Sequence, residues 1–237
     1  MNNPMDEHRT IAIIPSAGRG RRLGYRKKPY LEIQGKPVLA HTLSVFQTSP
    51  LIDGIIVVVM PEDVERCRKE VVEKYGLKKV LAVVEGGAER QDSVRLGLEK
   101  AEEYEPEFVV IHDGARPFVT QDIIERTLHP LTEGKVAVLC GVVPKDTVKE
   151  VEDNRVKRTI PRETLRLIQT PQAFRFETLK DAHLKAVSSG LCATDDGALV
   201  ELSGEEVCVV EGAYDNIKIT TEEDLLMAEL ILQRRGT

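Results

Sequence analysis

The chain has 237 residues, of which 41% are hydrophobic and 30% are charged, and its net charge is -6. This length and balance predict one globular domain with a large core, and they exclude a disordered or fibrous chain. The negative charge argues against a nucleic-acid-binding protein that relies on overall positive charge, although a local cluster of Lys and Arg can still bind an anionic metabolite.

The N-terminus, the apolar runs and the cysteines predict a cytoplasmic protein. The first ten residues, MNNPMDEHRT, are acidic and polar where a signal peptide would need a basic start and an apolar stretch. No apolar run approaches the ~18 residues expected of a membrane-spanning helix. The cysteines form no CxxC pair, so we expect buried free thiols rather than a metal or disulfide framework. They are Cys67, Cys140, Cys192 and Cys208.

Short β-branched runs alternate with helical patterns over the first two-thirds of the chain. The predicted strands are continuous apolar runs, which is typical of parallel strands buried on both faces. They are Thr10–Ile14, Ile55–Met60, Val80–Val84, Phe108–Ile111 and Val136–Val142. The helices predicted between them are Val38–Gln47, Glu62–Tyr75, Ser93–Ala101 and Gln121–Leu131. This alternation predicts an α/β fold with a doubly wound, mostly parallel sheet, in which ligands bind beyond the carboxyl ends of the strands.

The alternation breaks after Pro144. Residues Lys145–Thr159 predict a β-hairpin with its turn at Asp153–Asn154, and this hairpin is rich in charge and Thr. Because an isolated hairpin is only marginally stable in water, we expect it to lie on another surface. The rest of the chain predicts helices at Phe176–Ser189, Asp195–Leu202 and Glu222–Arg235, and a strand at Val207–Val210.

A glycine-rich basic loop follows the first strand. Its sequence is PSAGRGRRL, and Gly18 and Gly20 can let the backbone N–H groups approach phosphate oxygens closely. A dinucleotide-binding loop would have a third glycine where Leu23 stands, and the Gly-Lys-Ser/Thr of a Walker loop is absent. The five nearby cations favour a triphosphate, but a solvated basic loop is nearly as good an interpretation. They are Arg19, Arg21, Arg22, Lys27 and Lys28.

From this loop onward the chain resembles the 2-C-methyl-D-erythritol 4-phosphate cytidylyltransferases of the methylerythritol route to isoprenoids. The resemblance continues through KKPYLEIQGKPVLAHTL, EGGAERQDSV, HDGARP, PKDTVK, QTPQAF, ATDDGALVE and DNIKIT. It implies a Rossmann-like nucleotidyltransferase fold, and a reaction in which CTP and the sugar-alcohol phosphate give the cytidylyl product and pyrophosphate. Since it runs over essentially the entire chain, we expect a single nucleotidyltransferase domain over 1–237 without a fused second activity.

The resemblance also implies roles for particular residues. Arg22, Lys28 and Lys218 match the catalytic cations, although the family usually has Pro-Lys-Gln before Tyr-Leu where this chain has Lys27-Lys28-Pro29. Lys28 is assigned because it keeps its spacing to Tyr30. Without the resemblance, Lys218 would be interpreted as a strand-end surface lysine. The matching nucleotide-binding residues are Pro15, Ser16, Ala17, Gly18, Gly20, Gly87, Ala88, Ser93 and Gly114.

The resemblance also implies which residues bind the acceptor substrate. The matching substrate-binding residues are Asp113, Arg116, Thr147, Arg162 and Thr194. The resemblance implies Mg²⁺ on the CTP phosphates near Asp113, with no direct side-chain ligand assigned. His112, after an apolar run, is interpreted as a buried structural histidine. Simpler interpretations stay open: Ser93 as a helix cap, Arg162 as a surface arginine, and Asp195–Asp196 as a helix start.

Two further consequences concern assembly and alternatives. The resemblance implies that the hairpin, at about 144–162, is an arm that completes the neighbouring site in a homodimer. A ribitol-5-phosphate cytidylyltransferase would share the same CTP half, so it remains an alternative. A catalytically inactive nucleotide-binding regulator is a second alternative. An NAD-dependent oxidoreductase is disfavoured by Leu23 and by the basic loop.

Overall fold

The computed structural model describes residues 8–18 and 28–236, and all statements below concern these residues. The strands are β1 (Thr10–Pro15), β2 (Glu32–Ile33), β3 (Lys36–Pro37), β4 (Gly54–Val59), β5 (Val80–Glu85), β6 (Phe108–Ile111), β7 (Ala137–Val142), β8 (Val148–Glu152), β9 (Arg155–Ile160), β10 (Leu167–Arg175) and β11 (Val207–Glu211). The α-helices are α1 (Val38–Thr48), α2 (Val64–Cys67), α3 (Arg90–Glu102), α4 (Gln121–Thr132), α5 (Phe176–Ser189), α6 (Asp196–Leu202) and α7 (Glu222–Arg235).

The centre of the molecule is a sheet of seven strands in the order β11-β7-β10-β6-β1-β4-β5. β1 pairs in parallel with both β4 and β6, β4 with β5, and β7 with β11, whereas β10 is antiparallel to both of its neighbours. The predicted doubly wound, mostly parallel α/β sheet is therefore confirmed. The carboxyl ends of β1, β4, β5 and β6 meet at one edge, where a ligand site is expected.

The sequence analysis missed β10, which lies between β6 and β7. Its segment LIQTPQAFR contains Pro171 and the polar residues Gln169, Thr170 and Gln172, a composition that argues against a central strand. In the fold these three polar residues are buried, and the pairing register with β7 shifts between Ile168 and Gln172, around the proline. The strand is thus central despite its proline because the ladder is interrupted there.

The core lies on both faces of the sheet. On one face α1 and α4 pack side chains such as Phe46 and Leu128 against the strands. On the other face α3, α5 and α6 contribute side chains such as Val94 and Leu179. Burying one such side chain stabilises a fold by about 1.5–3 kcal/mol. A third cluster joins α7 to Ile33 and Phe118, so the C-terminal helix packs on the domain rather than extending from it.

Two helix predictions differ from the structure in detail. The segment predicted as one helix over Glu62–Tyr75 begins as a 3-10 turn at Pro61, is α-helical over α2, and continues as a π-helix over Arg68–Glu73. It ends at Gly76, which has the positive φ of 61° that glycine tolerates. Helix α3 begins three residues earlier than predicted, because Glu89 caps it in a capping box with Asp92. Ser93 is therefore not a helix cap.

Strands β8 and β9 form the predicted hairpin, with Asp153 and Asn154 at positive φ in the turn. Most of its residues are exposed, and its strands pair chiefly with each other. The cysteine prediction is confirmed in part, since all four thiols are free but only Cys67 and Cys140 are buried, while Cys192 is exposed. Within residues 8–18 and 28–236, every helix falls short of the length and apolar character that crossing a membrane requires.

Candidate active site

A cavity of about 580 Å³ opens at the carboxyl edge of β1, β4, β5 and β6. It contains residues from each loop that the sequence analysis singled out at this edge, and also the loop before α7. Its lining consists of Pro15, Ser16, Ala17, Gly18, Pro29, Met60, Gly87, Ala88, Glu89, Arg90, Ser93, Asp113, Gly114, Ala115, Lys218 and Thr220. The parallel topology therefore brings together segments that lie as far apart along the chain as Pro15 and Thr220.

One wall of the cavity is backbone held at close range. The Ser93 hydroxyl donates to the Glu89 carbonyl at 3.1 Å and accepts from the Gly87 N–H at 3.2 Å, which fixes the loop before α3. A Cβ at Gly86 would lie 2.5 Å from the Ala17 Cβ, so the two loops approach too closely for a side chain there. This wall is suited to contacts with a flat base edge through backbone groups.

Asp113 forms the floor of the cavity. Its carboxylate is 9% exposed and lies 2.8 Å from Lys218 Nζ, 3.2 Å from Arg90 Nε and 3.6 Å from Arg116 Nε. Burial alone would raise the pKa of Asp113, but the positive charges of Lys218, Arg90 and Arg116 lower this pKa well below its usual value. The carboxylate therefore stays ionised at neutral pH, with three cations around it.

Arg90 is a site residue to which the sequence analysis assigned no role. Its Nη1 lies 2.7 Å from Asp196 Oδ2, so its guanidinium bridges two carboxylates. Asp196 is 1% exposed, and His183 Nε2 contacts its other oxygen at 3.1 Å. The residue stood inside the quoted motif EGGAERQDSV, but its partners are 23 and 106 positions away, a separation that no sequence pattern encodes.

Lys218 lies in a loop outside any helix or strand, which corrects the interpretation of it as a strand-end surface lysine. The fully buried Asn216 anchors this loop by donating from Nδ2 to the Thr170 carbonyl at 2.9 Å. Arg116 donates from Nη1 to the Asn216 carbonyl at 2.8 Å, and the Ile219 N–H donates to the Ala115 carbonyl at 2.9 Å. The loop therefore holds the lysine over Asp113.

The prediction that His112 is a buried structural histidine is confirmed. The ring is fully buried and its Nε2 lies 3.0 Å from the Arg116 carbonyl. Burial lowers the pKa of His112 to about 4, so the ring is neutral at pH 7. Because a carbonyl can only accept, Nε2 carries the proton, and Nδ1 has no partner among the residues that the structure describes.

The remaining predicted residues do not line the cavity or lie outside the described residues. Thr147, Arg162 and Thr194 are exposed and lie outside the lining of the cavity, as does the partly buried Arg116 beside Asp113. Arg22, Gly20 and the alternative Lys27 lie outside the described residues. Lys28 begins the 3-10 turn Lys28–Tyr30, where Tyr30 donates from its hydroxyl to the Asp63 carbonyl at 3.3 Å.

The arrangement suits a cation that arrives with a ligand better than one held by the protein alone. Among the residues that the structure describes, no group of three His, Cys, Asp or Glu side chains could hold a metal ion. Asp113 and Glu89 are the carboxylates in the described lining, and both oxygens of Asp113 already contact cationic side chains. A magnesium ion here would therefore need most of its ligands from phosphates and water.

Comparisons with known proteins show what this chain is similar to. The family model of 2-C-methyl-D-erythritol 4-phosphate cytidylyltransferase (IspD) matches residues 10–234. The chain is 48% identical over 228 residues to that enzyme from Geobacter metallireducens, covering 95% of this chain and 98% of the relative.

Two solved structures extend the likeness to three dimensions. One is 4-diphosphocytidyl-2C-methyl-D-erythritol synthase from Anaerococcus prevotii, with a TM-score of 0.87 and 38% identity, covering 99% of this chain and 100% of that one. The other is 2-C-methyl-D-erythritol 4-phosphate cytidylyltransferase from Thermus thermophilus, with a TM-score of 0.76 and 33% identity, covering 95% and 99%.

Proposed function

Because this chain belongs to the 2-C-methyl-D-erythritol 4-phosphate cytidylyltransferase family, we propose that the cavity above Asp113 is where its reaction takes place. The enzyme transfers the cytidylyl group of CTP to 2-C-methyl-D-erythritol 4-phosphate and releases pyrophosphate, a step of the methylerythritol route to isoprenoids. The observation that carries the assignment of the site is the convergence of the Pro15–Gly18 loop, the Gly87–Ser93 loop, Asp113 and Lys218 around one cavity.

The nucleotide is proposed to bind against the backbone wall. Gly87, Ala88 and Ser93 would contact the cytosine edge, a role that suits a loop whose N–H and carbonyl groups are fixed by the Ser93 hydroxyl. Pro15, Ser16, Ala17 and Gly18, continuing to Gly20, would approach the phosphates, and Gly114 would border them. A Cβ at Gly18 would meet no atom of the described residues within 4 Å, so none of these residues fills the space beside it.

The chemistry is a displacement at the α-phosphorus of CTP. An oxygen of the acceptor phosphate forms the new P–O bond while the bond to pyrophosphate breaks, and the electron pair leaves with pyrophosphate. The acceptor phosphate is already ionised at pH 7, so the protein has to position two anions and offset the charge that develops. We assign this role to Arg22, Lys28 and Lys218, of which Lys218 lies in the described lining.

Magnesium is proposed as the cofactor, carried on the CTP phosphates. When bound, it would neutralise phosphate charge, and Asp113 is the carboxylate placed to face it or its water ligands. Asp113 also orients Lys218 at 2.8 Å, so the carboxylate holds the cation that is proposed to approach the α-phosphate. Asp113 and Arg116 would in addition border the acceptor.

The acceptor half of the site is proposed to be completed by a second copy of the chain. Thr147 and Arg162 flank an exposed hairpin, the proposed dimerisation arm at about 144–162, and neither lines the cavity of its own chain. In a homodimer they would grip the acceptor phosphate in the neighbouring site, while Thr194 would meet the sugar alcohol. A cytosolic location is part of the same proposal, and the four free cysteines agree with a reducing compartment.

Pyrophosphate release with CTP and Mg²⁺ tests this function. 2-C-methyl-D-erythritol 4-phosphate and D-ribitol 5-phosphate are offered in parallel, with a control that contains no acceptor. We expect release that depends on the acceptor and strongly prefers the methylerythritol compound. Preference for ribitol 5-phosphate would overturn the acceptor assignment, and CTP binding without release with either acceptor would overturn the proposed site as a catalytic one.

A further inference from the structure

Arg90 joins three parts of the site that are far apart in the sequence. It begins α3 directly after the Gly87–Glu89 loop, it contacts Asp113 after β6, and it contacts Asp196 at the start of α6. We propose that Arg90 is a positioning residue for the acceptor substrate: its guanidinium fixes Asp113 and, through Asp196, the segment 191–195 that carries Thr194. This inference rests on the proposed function of the cavity.

The contacts of Arg90 fix the plane of its guanidinium. Nε lies 3.2 Å from Asp113 Oδ1 and Nη1 lies 2.7 Å from Asp196 Oδ2, and a planar group held at two edges cannot rotate freely. The two neighbouring carboxylates raise the pKa of Arg90, although burial acts in the opposite direction. The side chain is 29% exposed and lines the cavity, so its position shapes the space that a substrate occupies.

Asp196 is itself held rigidly beneath the site. It is 1% exposed, and His183 of α5 contacts its second oxygen at 3.1 Å. The neighbouring Asp195 caps α6 by accepting from the Ala198 N–H at 2.9 Å, and it also accepts from Gln172 Nε2 of β10 at 2.8 Å. The Asp196 carboxylate that orients Arg90 is therefore tied to α5 directly and to the central sheet through its neighbour Asp195.

The residue after Arg90 makes a second connection to the same segment. Gln91 donates from Nε2 to the Leu191 carbonyl at 3.0 Å, and its Oε1 accepts from the Ala193 N–H at 3.0 Å. Thr194, the residue proposed to meet the sugar alcohol, follows Ala193 directly. The first turn of α3 thus determines where this segment runs, through one charged and one neutral pair of contacts.

The charges favour positioning over direct phosphate binding. Arg90 lies between two carboxylates, so its own positive charge is offset and little of it remains for a phosphate. Asp113 keeps Lys218 at 2.8 Å and Arg116 at 3.6 Å even without Arg90, so loss of Arg90 leaves Asp113 paired. What is lost is the orientation of Asp113 and of the 191–195 segment, both of which are proposed to border the acceptor.

The first experiment uses the variant Arg90→Lys, which replaces the guanidinium by an ammonium group and keeps the positive charge. One ammonium group cannot reproduce the two-edged contact of a guanidinium. We expect kcat/KM for 2-C-methyl-D-erythritol 4-phosphate at saturating CTP to fall about 10²-fold, because small displacements of positioning groups cost that much. The dissociation constant of CTP, measured by calorimetry, should change less than about threefold. Arg95→Lys is the matched control, since Arg95 lies on the same helix and pairs with the exposed Glu99.

The second experiment changes a partner of Arg90, Asp196, instead of Arg90 itself. Asp196 does not line the cavity, yet Asp196→Asn should reproduce most of the loss in acceptor kcat/KM. The acceptor kcat/KM of the double variant with Arg90→Lys should lie within about threefold of that of Arg90→Lys alone, because the effects of contacting residues that act as one unit are non-additive. CTP binding and thermal unfolding of each variant show whether it is folded.

Two results would overturn the inference while the unmodified enzyme is active. One is an equal loss of affinity for CTP and for the acceptor together with a matching loss of thermal stability, which would make Arg90 a structural residue only. The other is a kcat/KM of Arg90→Lys for the acceptor within about threefold of that of the unmodified enzyme, because misplacement of a positioning group produces a larger loss. An inactive unmodified enzyme in the same assay would instead contradict the proposed function.

Discussion

The cavity floor and the β8–β9 hairpin are both rich in charge, but they hold their charges in opposite ways. Asp113 in the floor and Asp196 beneath it are almost fully buried, and they contact cations and a histidine from four different parts of the chain. In the hairpin, Glu150 pairs with Arg158 and Lys157 across the two strands, and these side chains are one-third or more exposed. The first network is built from long-range contacts, the second from neighbours.

This difference shows which half of the site one chain can complete. Buried charges are tolerated only when they are paired, so the floor is fixed as soon as the sheet and its helices pack. The hairpin has no core of its own, and a two-stranded hairpin is marginally stable in water. The cavity floor is therefore formed within one chain, whereas the proposed acceptor grip depends on what the hairpin lies against.

The largest expected effect comes from the floor. Lys218→Gln removes the cation that lies 2.8 Å from Asp113 in the proposed path of the α-phosphate. We expect turnover to fall by about 10²–10³-fold, because this charge is most valuable in the transition state. Pyrophosphate release at saturating substrates measures it. Lys135→Gln, which removes an exposed pair with Glu206, is the control, and near-normal turnover of Lys218→Gln would remove this lysine from the catalytic assignment.

The second prediction concerns the protonation of His112, which precedes Asp113 in the chain. His112 has a pKa of about 4 in the fold, below the usual 6.5, so the unfolded chain binds its proton first as the pH falls. The free energy of unfolding should therefore decrease between pH 6.5 and pH 4, and the contribution of His112 is about 3 kcal/mol. Urea unfolding at both pH values measures it, and His112→Gln should flatten the dependence by that amount. The same slope in His112→Gln would contradict this assignment.

The contacts of the cavity floor were less predictable from the sequence than the parallel strands and the hairpin turn. The parallel strands were predictable because continuous apolar runs are sufficient to define them, and the hairpin turn was predictable from Asp153 and Asn154. Strand β10 was missed because its buried polar residues and Pro171 find partners only in the folded sheet. Arg90 was missed for the same reason, since its role depends on two carboxylates that the topology brings to it.

The third prediction tests whether the hairpin is a dimer contact. Val151 and Val156 are opposite each other on its two strands and are 55% and 62% exposed, which leaves them available to a second copy. Val156→Glu should shift the protein toward monomer in light scattering and lower acceptor kcat/KM by about tenfold or more, because a buried unpaired charge costs several kcal/mol. The affinity for CTP should stay the same. Leu202→Glu, at a 65% exposed position on α6, is the control. A monomeric unmodified enzyme with full activity would contradict the shared site.

The smallest effect is expected where the hairpin's charges face water. Glu150→Gln removes the contacts with Arg158 and Lys157, and exposed ion pairs contribute only about 0–1 kcal/mol because water competes for both partners and salt screens them. The free energy of unfolding in urea should therefore change by less than about 1 kcal/mol, and added salt should reduce even that difference. If Glu150→Gln instead destabilised the protein as strongly as the loss of a buried charge partner, about 3–5 kcal/mol, the pair would have to be buried in the assembled protein. The hairpin would then resemble the cavity floor, and the contrast between the two regions would hold only for the single chain.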